Sequence, residues 1–255
     1  MAILFDGRYS AGFVAGLSKQ SEDDATRITL VPDPAGSGVQ VGKFTLLDSD
    51  AAHRAEVFPS PNVTRDFGTG YWYSWEYFLP ADFKYGGSGE TATVICQVHD
   101  VDVAAISRHP AFAVDTKSGV VYVRNANDTF DNTSDRILAQ WPIVLGSWEH
   151  IVLNISWSFT PGVGYMTVWR NRRKVFWETA HINTWTESPS ANNAPYFKEG
   201  TYIPQPYSYG SQTTYHKGIV VGDSSYATFD QFMAACGTPE RFELEPVVIR
   251  AASLA

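Results

Sequence analysis

The sequence predicts an all-β protein, a single β-sandwich of the jelly-roll type that spans residues 1–255. Short runs rich in Val, Ile, Thr, Tyr, Phe and Trp alternate with small clusters of Gly and Pro, which is the pattern of many strands joined by turns. No linker-like stretch divides the 255 residues, and β-sandwiches of this length commonly form one domain. With 44% hydrophobic and 18% charged residues, the chain has enough apolar side chains for a packed core.

The strands and one helix can be justified in chain order. The runs that predict strands are 53–57, 71–79, 91–99, 119–124, 150–157, 165–170, 175–177 and 196–202. The aromatic run 71–79 is the most strongly β-forming, and it ends at Pro80, which cannot donate a ladder hydrogen bond. Residues 171–173 predict a hairpin tip. Only 228–235, which Gly237 follows, predicts a helix.

The charge balance limits the classes of partner. The chain has 27 acidic and 19 basic side chains, a formal net charge of −8, so no overall field attracts nucleic acid or an anionic membrane. No apolar run is long enough to span a bilayer. Residues 1–6 lack the basic and apolar regions of a secretory signal. We therefore expect neither nucleic acid nor a membrane as partner.

The cysteines and the metal-ligand patterns predict neither a definite disulfide nor a metal site. Cys96 lies in an apolar run, which favours a buried free thiol, while a single disulfide with Cys236 stays open. No His-x-His, His-Glu-x-x-His or Cys/His cluster predicts zinc, and no Gly-rich loop predicts phosphate binding. A structural calcium ion would need oxygen ligands such as Asp6 or Asp223, and the sequence does not support one.

The strand 91–99 breaks the usual pattern of apolar and polar faces. With a period of two, Gln97 and His99 project side by side. The alternation predicts two faces, one with Val94, Cys96 and Val98 and the other with Thr93, Ile95, Gln97 and His99. One face of this strand therefore carries an amide and an imidazole together.

Two further strands offer polar faces. In 53–57 the alternation sets Arg54 beside Glu56, and in 196–202 it aligns Tyr196, Lys198 and Tyr202. Taken singly, each has an ordinary explanation, such as an exposed ion pair of little consequence. Taken together, the three strands supply a guanidinium, an amide, an imidazole, an ammonium and a phenol, a set that suits chemistry on a carboxylated sugar.

These strands carry a resemblance to a known family. Arg54-Ala55-Glu56-Val57, Gln97-Val98-His99 and residues 196–202, Tyr-Phe-Lys-Glu-Gly-Thr-Tyr, resemble the three motif strands of jelly-roll polysaccharide lyases, the group that contains alginate lyases of polysaccharide lyase family 7, glucuronan lyases and heparin lyase I. The segments that fit the glucuronan lyase and heparin lyase I-like branch are 70–72, 78–80, 109–110, 146–150, 168–171 and 221–224. Two positions depart from the family pattern: Glu199 replaces an apolar or small residue, and Arg172-Arg173 replaces an Asn-Gly hairpin tip.

The resemblance implies β-elimination at a uronic acid. Removal of the C5 proton pushes negative charge onto the neighbouring carboxylate, and Arg54 and Gln97 are implied to neutralise it. An imidazole with its ordinary pKa near 6.5 can accept the proton, which suits His99, and Tyr202 is then the acid for the C4 leaving oxygen. If the proton and the leaving group lie on the same side of the ring, Tyr202 can do both. The sequence does not decide between these schemes.

The remaining site residues are expected to bind the substrate or to orient other site residues. The substrate-binding set comprises Lys198, Glu56, Tyr196, Trp72 and Arg170, with Glu56 expected to orient Arg54. Of the aromatic residues at 71–73 and 75, at least half are expected in the core instead of on a sugar. The basic cluster formed by Arg170, Arg172, Arg173 and Lys174 fits either a solvated hairpin tip or flanking polyanion subsites, and both stay open.

The expected function is therefore that of an endo-acting lyase on a uronic-acid-containing polysaccharide, with no organic cofactor. The expected product carries a 4,5-unsaturated uronate, and the expected location is extracellular, either secreted with its signal removed or virion-associated. A glycoside hydrolase would need paired carboxylates, usually from a motif such as Glu-x-Asp-x-Glu, which the sequence lacks. The alternative is a non-catalytic carbohydrate-binding or adhesin-type module, which would not require the polar set described above.

Overall fold

The computed structural model describes residues 1–60, 66–85, 92–99, 110–126, 135–184, 195–204 and 210–237. The strands are β1 Ile3–Asp6, β2 Leu17–Ser21, β3 Ile28–Pro32, β4 Gln40–Leu47, β5 Arg54–Pro59, β6 Gly70–Phe78, β7 Thr93–His99, β8 Phe112–Lys117, β9 Val120–Ala126, β10 Asp135–Pro142, β11 Trp148–Ser156, β12 Gly164–Arg170, β13 Arg173–His181, β14 Tyr196–Tyr202, β15 Ser211–His216 and β16 Val220–Gly222. The helical segments are a 3₁₀ turn at Tyr9–Ala11, α1 at Asp24–Arg27 and α2 at Phe229–Cys236. The prediction of an all-β protein is confirmed.

The strands form two antiparallel sheets. The nine-stranded sheet follows the order β13-β12-β11-β6-β15-β4-β3, with β16 paired to β6 and β1 paired to β16. The seven-stranded sheet follows the order β10-β9-β8-β7-β14-β5-β2. This two-layer arrangement confirms the jelly-roll sandwich, and it makes the three polar strands β7, β14 and β5 direct neighbours.

The aromatic strand β6 supplies much of the core between the sheets. Its alternate residues Tyr71, Tyr73, Trp75 and Tyr77 are buried in the largest apolar cluster, together with residues of β7, β8 and β14 from the opposite sheet. Trp72 points to the other side of β6 and belongs to a different cluster. The expectation that at least half of these aromatic residues are core residues is therefore confirmed.

The outer side of β6 is covered by α2. The Thr228 hydroxyl caps its first turn by accepting from the backbone N–H of Gln231, and Gly237 ends the helix in the left-handed region at φ 66°. The helix predicted at 228–235 is thus confirmed with a shift of one residue. It packs Phe232 and Met233 against Trp72. No helix in the described part of the chain is long and apolar enough to cross a bilayer.

A β-bulge corrects the predicted faces of β7. The register with β8 shifts between Val94 and Cys96, so that Ile95 and Cys96 both enter the core. The prediction that Ile95 shares a face with Gln97 is therefore wrong, and Val94 no longer shares a face with Cys96. Gln97 and His99 lie beyond the bulge, where the alternation is regular.

The cysteines are not linked. Cys96 is buried in the main core, and Cys236, the last residue of α2, is buried in the cluster around Trp72. Both are free thiols, which confirms the expectation for Cys96.

The β12–β13 hairpin turns at Asn171 and Arg172, which confirms the predicted tip. Their φ angles of 46° and 66° are those of a type I′ turn, which favours Asn-Gly because a side chain at positive φ is strained. Arg172→Gly should remove that strain and raise the free energy of unfolding by about 1 kcal/mol. Chemical denaturation measures this change.

A matched variant gives the opposite expectation. The Asn171 side chain accepts from the backbone N–H of His150 at 2.9 Å and donates to Glu149 at 3.1 Å, so Asn171→Gly should lower stability. Equal stability of wild type and Arg172→Gly would contradict the assignment of strain to this position.

Candidate active site

Seven of the predicted site residues lie on one face of the seven-stranded sheet. We call this face the site face, and its residues are Arg54, Glu56, Gln97, His99, Tyr196, Lys198 and Tyr202. Across β14 and β7, Tyr196 opposes His99 and Lys198 opposes Gln97. Across β14 and β5, Tyr202 opposes Arg54. Directly opposed residues of antiparallel strands point to the same side, so this register brings the set together on the side away from the core.

Glu56 is the centre of this cluster. Gln97 donates its amide Nε2 to Glu56 Oε1 at 2.6 Å. Lys198 Nζ and Arg54 Nη1 each lie 3.8 Å from the other carboxylate oxygen, Oε2. The sequence expectation paired Glu56 with Arg54 alone, whereas the structure places it among three donors.

Gln20 is a site residue that sequence reasoning missed. It lies on β2, opposite Glu56, and its Oε1 accepts from Lys198 Nζ at 2.9 Å and from Arg54 Nη1 at 3.4 Å. This oxygen fixes the two cations relative to each other. A single glutamine in an edge strand carries no motif, and only the strand pairing shows its position.

Aromatic rings flank the charged groups. The Arg54 guanidinium lies 4.4 Å from the centroid of the Tyr202 ring, and Lys198 Nζ lies 5.3 Å from that of Tyr196. The ring centroid of His99 lies 6.2 Å from that of Tyr196. The ring centroid of Phe58, which was not predicted as a site residue, lies 5.7 Å from that of Tyr196. These contacts give the site one aromatic end at Tyr196 and another at Tyr202.

The charges of the cluster leave one positive charge. Arg54 and Lys198 contribute +2 and Glu56 contributes −1, so the sum is +1. The side chains of Glu56 and Lys198 are only 2% and 5% exposed, which strengthens their interactions relative to those in bulk water. Counting the described residues, this cluster therefore holds more cations than carboxylates within a protein of net charge −8, which suits an anion.

The register also separates the two candidate proton-transfer residues. His99 opposes Tyr196, while Tyr202 opposes Val94, five residues earlier on β7. Five residues of strand correspond to about 15 Å, so the two side chains start at opposite ends of the Lys198–Gln97 pair. The neutralising groups lie between them.

Trp72 and Arg170 do not belong to the site face, so the structure does not bring them together with the other predicted site residues. Trp72 is 3% exposed on the outer side of the nine-stranded sheet, where its Nε1 donates to the Tyr226 carbonyl at 3.0 Å. Arg170 opposes the core residue Ile151, and its guanidinium bonds the Glu149 carboxylate. Strand composition does not reveal which of two sheets, or which face of a sheet, a residue occupies.

Glu199, the unusual residue of the third motif, points away from the site face. It is fully buried, and burial raises the pKa of its carboxyl to about 8. The Tyr9 hydroxyl donates to its Oε1. Its Oε2 lies 3.7 Å from Nδ1 of His216, whose pKa burial lowers to about 3. The position therefore does not bear on sugar contact.

The Glu199–His216 pair ends on the backbone of the site strand. His216 Nε2 lies 3.2 Å from the carbonyl oxygen of Gly200, which requires the proton on Nε2 and leaves Nδ1 as acceptor. Glu199 Oε2 and His216 Nδ1 face each other at 3.7 Å without a hydrogen bond between them. Gly200 itself has φ 143°, and a Cβ there would lie 2.1 Å from the carbonyl oxygen of Ala55. The register of β14 with β7 shifts at this glycine, between Glu199 and Tyr202.

Metal ligands do not gather in the described ranges, where no three His, Cys, Asp or Glu side chains form a group that could hold an ion. The two aspartates considered for calcium both have protein donors. Asp6 bonds Arg8, and Asp223 accepts from the backbone N–H of Ser225 at 3.0 Å. His109, which belongs to the resemblance, lies outside the described residues.

Comparison with known proteins supports the same family. A family model described as polysaccharide lyase matches residues 10–220. Curated protein sequences give no match to this chain.

Solved structures show the fold. Endo-β-1,4-glucuronan lyase from the fungus Trichoderma reesei has a TM-score of 0.63 at 17% identity, covering 82% of this chain and 94% of its own. Alginate lyase A1-II′, of polysaccharide lyase family 7, has a TM-score of 0.59 at 15% identity, covering 82% of this chain and 95% of its own. The GH131 β-glucanase catalytic domain from Podospora anserina has a TM-score of 0.56 at 14% identity, covering 88% of this chain and 97% of its own.

The third of these structures shows that the fold is shared with a hydrolase, so the fold by itself does not determine the chemistry. The family model does, because it spans most of the sequence and includes all three polar strands. The chain therefore belongs to the polysaccharide lyase family and is a polysaccharide lyase.

Proposed function

We propose that the chain cleaves a uronic-acid-containing polysaccharide at internal positions by β-elimination and leaves a 4,5-unsaturated uronate at the new non-reducing end. The observation that carries this proposal is the cluster of Arg54, Lys198 and Gln97 around Glu56, which has one positive charge in excess. A neutral glycan would not use that charge, whereas one uronate carboxylate balances it.

Charge neutralisation is the first task of this cluster. As the C5 proton leaves, electrons move onto the carboxylate to give an aci-carboxylate with a second negative charge. Lys198 and Arg54 place fixed cations beside it, and Gln97 has a second amide proton beyond the one bonded to Glu56. These donors are held by Gln20 and Glu56 before substrate arrives, so the reaction needs little reorganisation.

The proton then moves to a base and the C4–O bond breaks. The electron pair of the C5–H bond forms the C4=C5 double bond, and the leaving oxygen takes a proton from an acid. In one scheme His99 is the base and Tyr202 the acid, and in the other Tyr202 performs both steps. Both schemes use Tyr202, whose ring lies beside the Arg54 guanidinium.

The proposal is tested with a panel of glucuronan, alginates, glycosaminoglycans and bacterial capsular polysaccharides. Product formation is followed by the ultraviolet absorbance of the unsaturated uronate and by the size distribution of the fragments. We expect absorbance to rise with at least one acidic polymer and large fragments to appear early, because cleavage is internal. Such polymers occur outside cells, where we propose that the protein acts.

Two controls make the test decisive. A neutral β-glucan should give neither absorbance nor fragmentation, since it brings no carboxylate. Binding of an acidic polymer without any absorbance at all would contradict the proposed reaction and would favour a non-catalytic binding module.

A further inference from the structure

The outer face of the nine-stranded sheet carries an exposed tryptophan next to basic side chains. Trp177 of β13 is 69% exposed. Lys174 Nζ lies 5.9 Å from the ring centroid of Trp177 and 5.9 Å from that of Trp169. Arg172 lies 5.8 Å from the ring centroid of Phe229. We call these five residues the hairpin patch.

The hairpin patch rests on a packed aromatic base. Trp169 stacks on the buried Trp72 with centroids 5.5 Å apart and an interplanar angle of 25°. It also packs against Phe229 of α2 at 5.1 Å. Lys174 therefore lies beside a packed aromatic base, which a ligand need not order on binding.

The cations of this hairpin are not neutralised by carboxylates of the described residues. Arg172, Arg173 and Lys174 form no ion pair with any of them. The neighbouring Arg170, by contrast, is paired with Glu149. In a protein of net charge −8, this leaves a local positive surface beside an exposed indole.

We propose that the hairpin patch is a second, non-catalytic binding site for an acidic polysaccharide. The indole of Trp177 offers a flat ring for the C–H face of a sugar, while Lys174 and Arg172 pair with carboxylate or sulfate groups along the chain. The identity of the polymer rests on the proposed function. Self-association through this patch would bring like charges together, and the net charge of −8 opposes nucleic acid.

The position of the patch determines which ligands can bind to it and to the site face at the same time. It lies on the nine-stranded sheet, whereas the site face lies on the seven-stranded sheet, so one short oligosaccharide cannot reach both. A long polymer held at the patch has a higher effective concentration at the site face. The patch should therefore matter for polymer and not for short oligosaccharides.

The test uses native affinity electrophoresis in gels that contain alginate or glucuronan. Trp177→Ala and Lys174→Ala are compared with Lys84→Ala, which removes an exposed cation outside the patch. All three are also made in a Lys198→Ala background, so that the site face contributes less binding. Trp177→Ala and Lys174→Ala should each weaken retention about tenfold, while Lys84→Ala should not.

The outcomes separate this inference from the proposed function. Retention of the patch variants equal to that of Lys84→Ala would overturn the second site. Equally strong patch-dependent retention in gels with single-stranded DNA, or loss of a dimer on gel filtration, would overturn the assignment to a glycan. Failure of the chain to release any unsaturated uronate would overturn the proposed function alone, because retention in the gel does not require turnover.

Discussion

Tyr202→Phe is expected to reduce turnover of acidic polymer by a factor of about 10² to 10⁴, the usual contribution of a positioned acid or base. Both proposed schemes need the Tyr202 hydroxyl, as the acid for the leaving oxygen or as base and acid together. The phenylalanine ring keeps the contact with the Arg54 guanidinium, so folding should be retained. Initial rates of absorbance increase, with thermal unfolding as a check of folding, measure the effect.

Tyr215→Phe is the matched control, because it removes a hydroxyl from β15 of the nine-stranded sheet, where Tyr215 packs against Phe78. It should leave the rate unchanged. Wild-type turnover by a folded Tyr202→Phe variant would remove Tyr202 from the mechanism.

His99→Ala then separates the two schemes. If His99 is the base, its loss should lower the rate as strongly as the loss of the Tyr202 hydroxyl. If Tyr202 performs both proton transfers, the loss should be clearly smaller. The outcome can depend on the polymer, because the C5 configuration of the uronate decides on which side the proton lies.

Glu199→Gln is expected to abolish a loss of stability at alkaline pH. The folded carboxyl has a pKa raised from 4.5 to about 8, so the folded state binds a proton that the unfolded chain releases, and stability falls as pH rises through this window. Between 4.5 and 6.5 the lowered pKa of His216 acts with the opposite sign and cancels this fall. From pH 6.5 to 8 the wild type should lose about 1 kcal/mol, because the upper end of the His216 titration offsets part of the fall.

The glutamine variant should show no such loss over the same window. The carbonyl of its amide can accept from the Tyr9 hydroxyl, so this hydrogen bond survives without an ionisable group. The other titratable group that faces Glu199 is the buried Cys96 thiol, whose pKa burial raises well above its ordinary value of 9. Urea denaturation at pH 6.5, 7.2 and 8 measures the slope.

Glu149→Gln gives the contrasting result. Glu149 is nearly buried and bonds the guanidinium of Arg170, which is itself only 12% exposed, so removal of the carboxylate leaves a largely buried cation unpaired. We expect a loss of about 3 kcal/mol at all three pH values. Parallel pH dependence of wild type and Glu199→Gln would contradict the assignment of a proton to Glu199.

Much of the site could be predicted from period-two alternation within single strands. The pairs Arg54 with Glu56, Gln97 with His99 and Lys198 with Tyr202 needed only the strand assignment, and the pairing of β5, β14 and β7 then assembled them. The alternation failed at Ile95, because a bulge inserts one residue and reverses the faces before it. A bulge depends on the neighbouring strand and has no reliable local pattern.

Other features depended on contacts between distant parts of the chain. Gln20 joins the site through the edge strand β2, and Tyr9 reaches Glu199 across 190 positions of sequence. Trp72 looked like a sugar platform because aromatic composition is the same in a core, under a helix and in a binding face. Only the packing of α2 distinguishes these cases.

The central position of Glu56 has a consequence for the chemical form of the polymer. Among the described residues, this carboxylate already lies 3.8 Å from both cations and balances part of their charge, so a sugar depends on its own negative charge for attraction. Methyl esterification of a uronate removes the negative charge that would pair with the cluster. Cutting should therefore be restricted to stretches of free acid, and a partly esterified polymer should yield long undigested blocks bounded by ester groups.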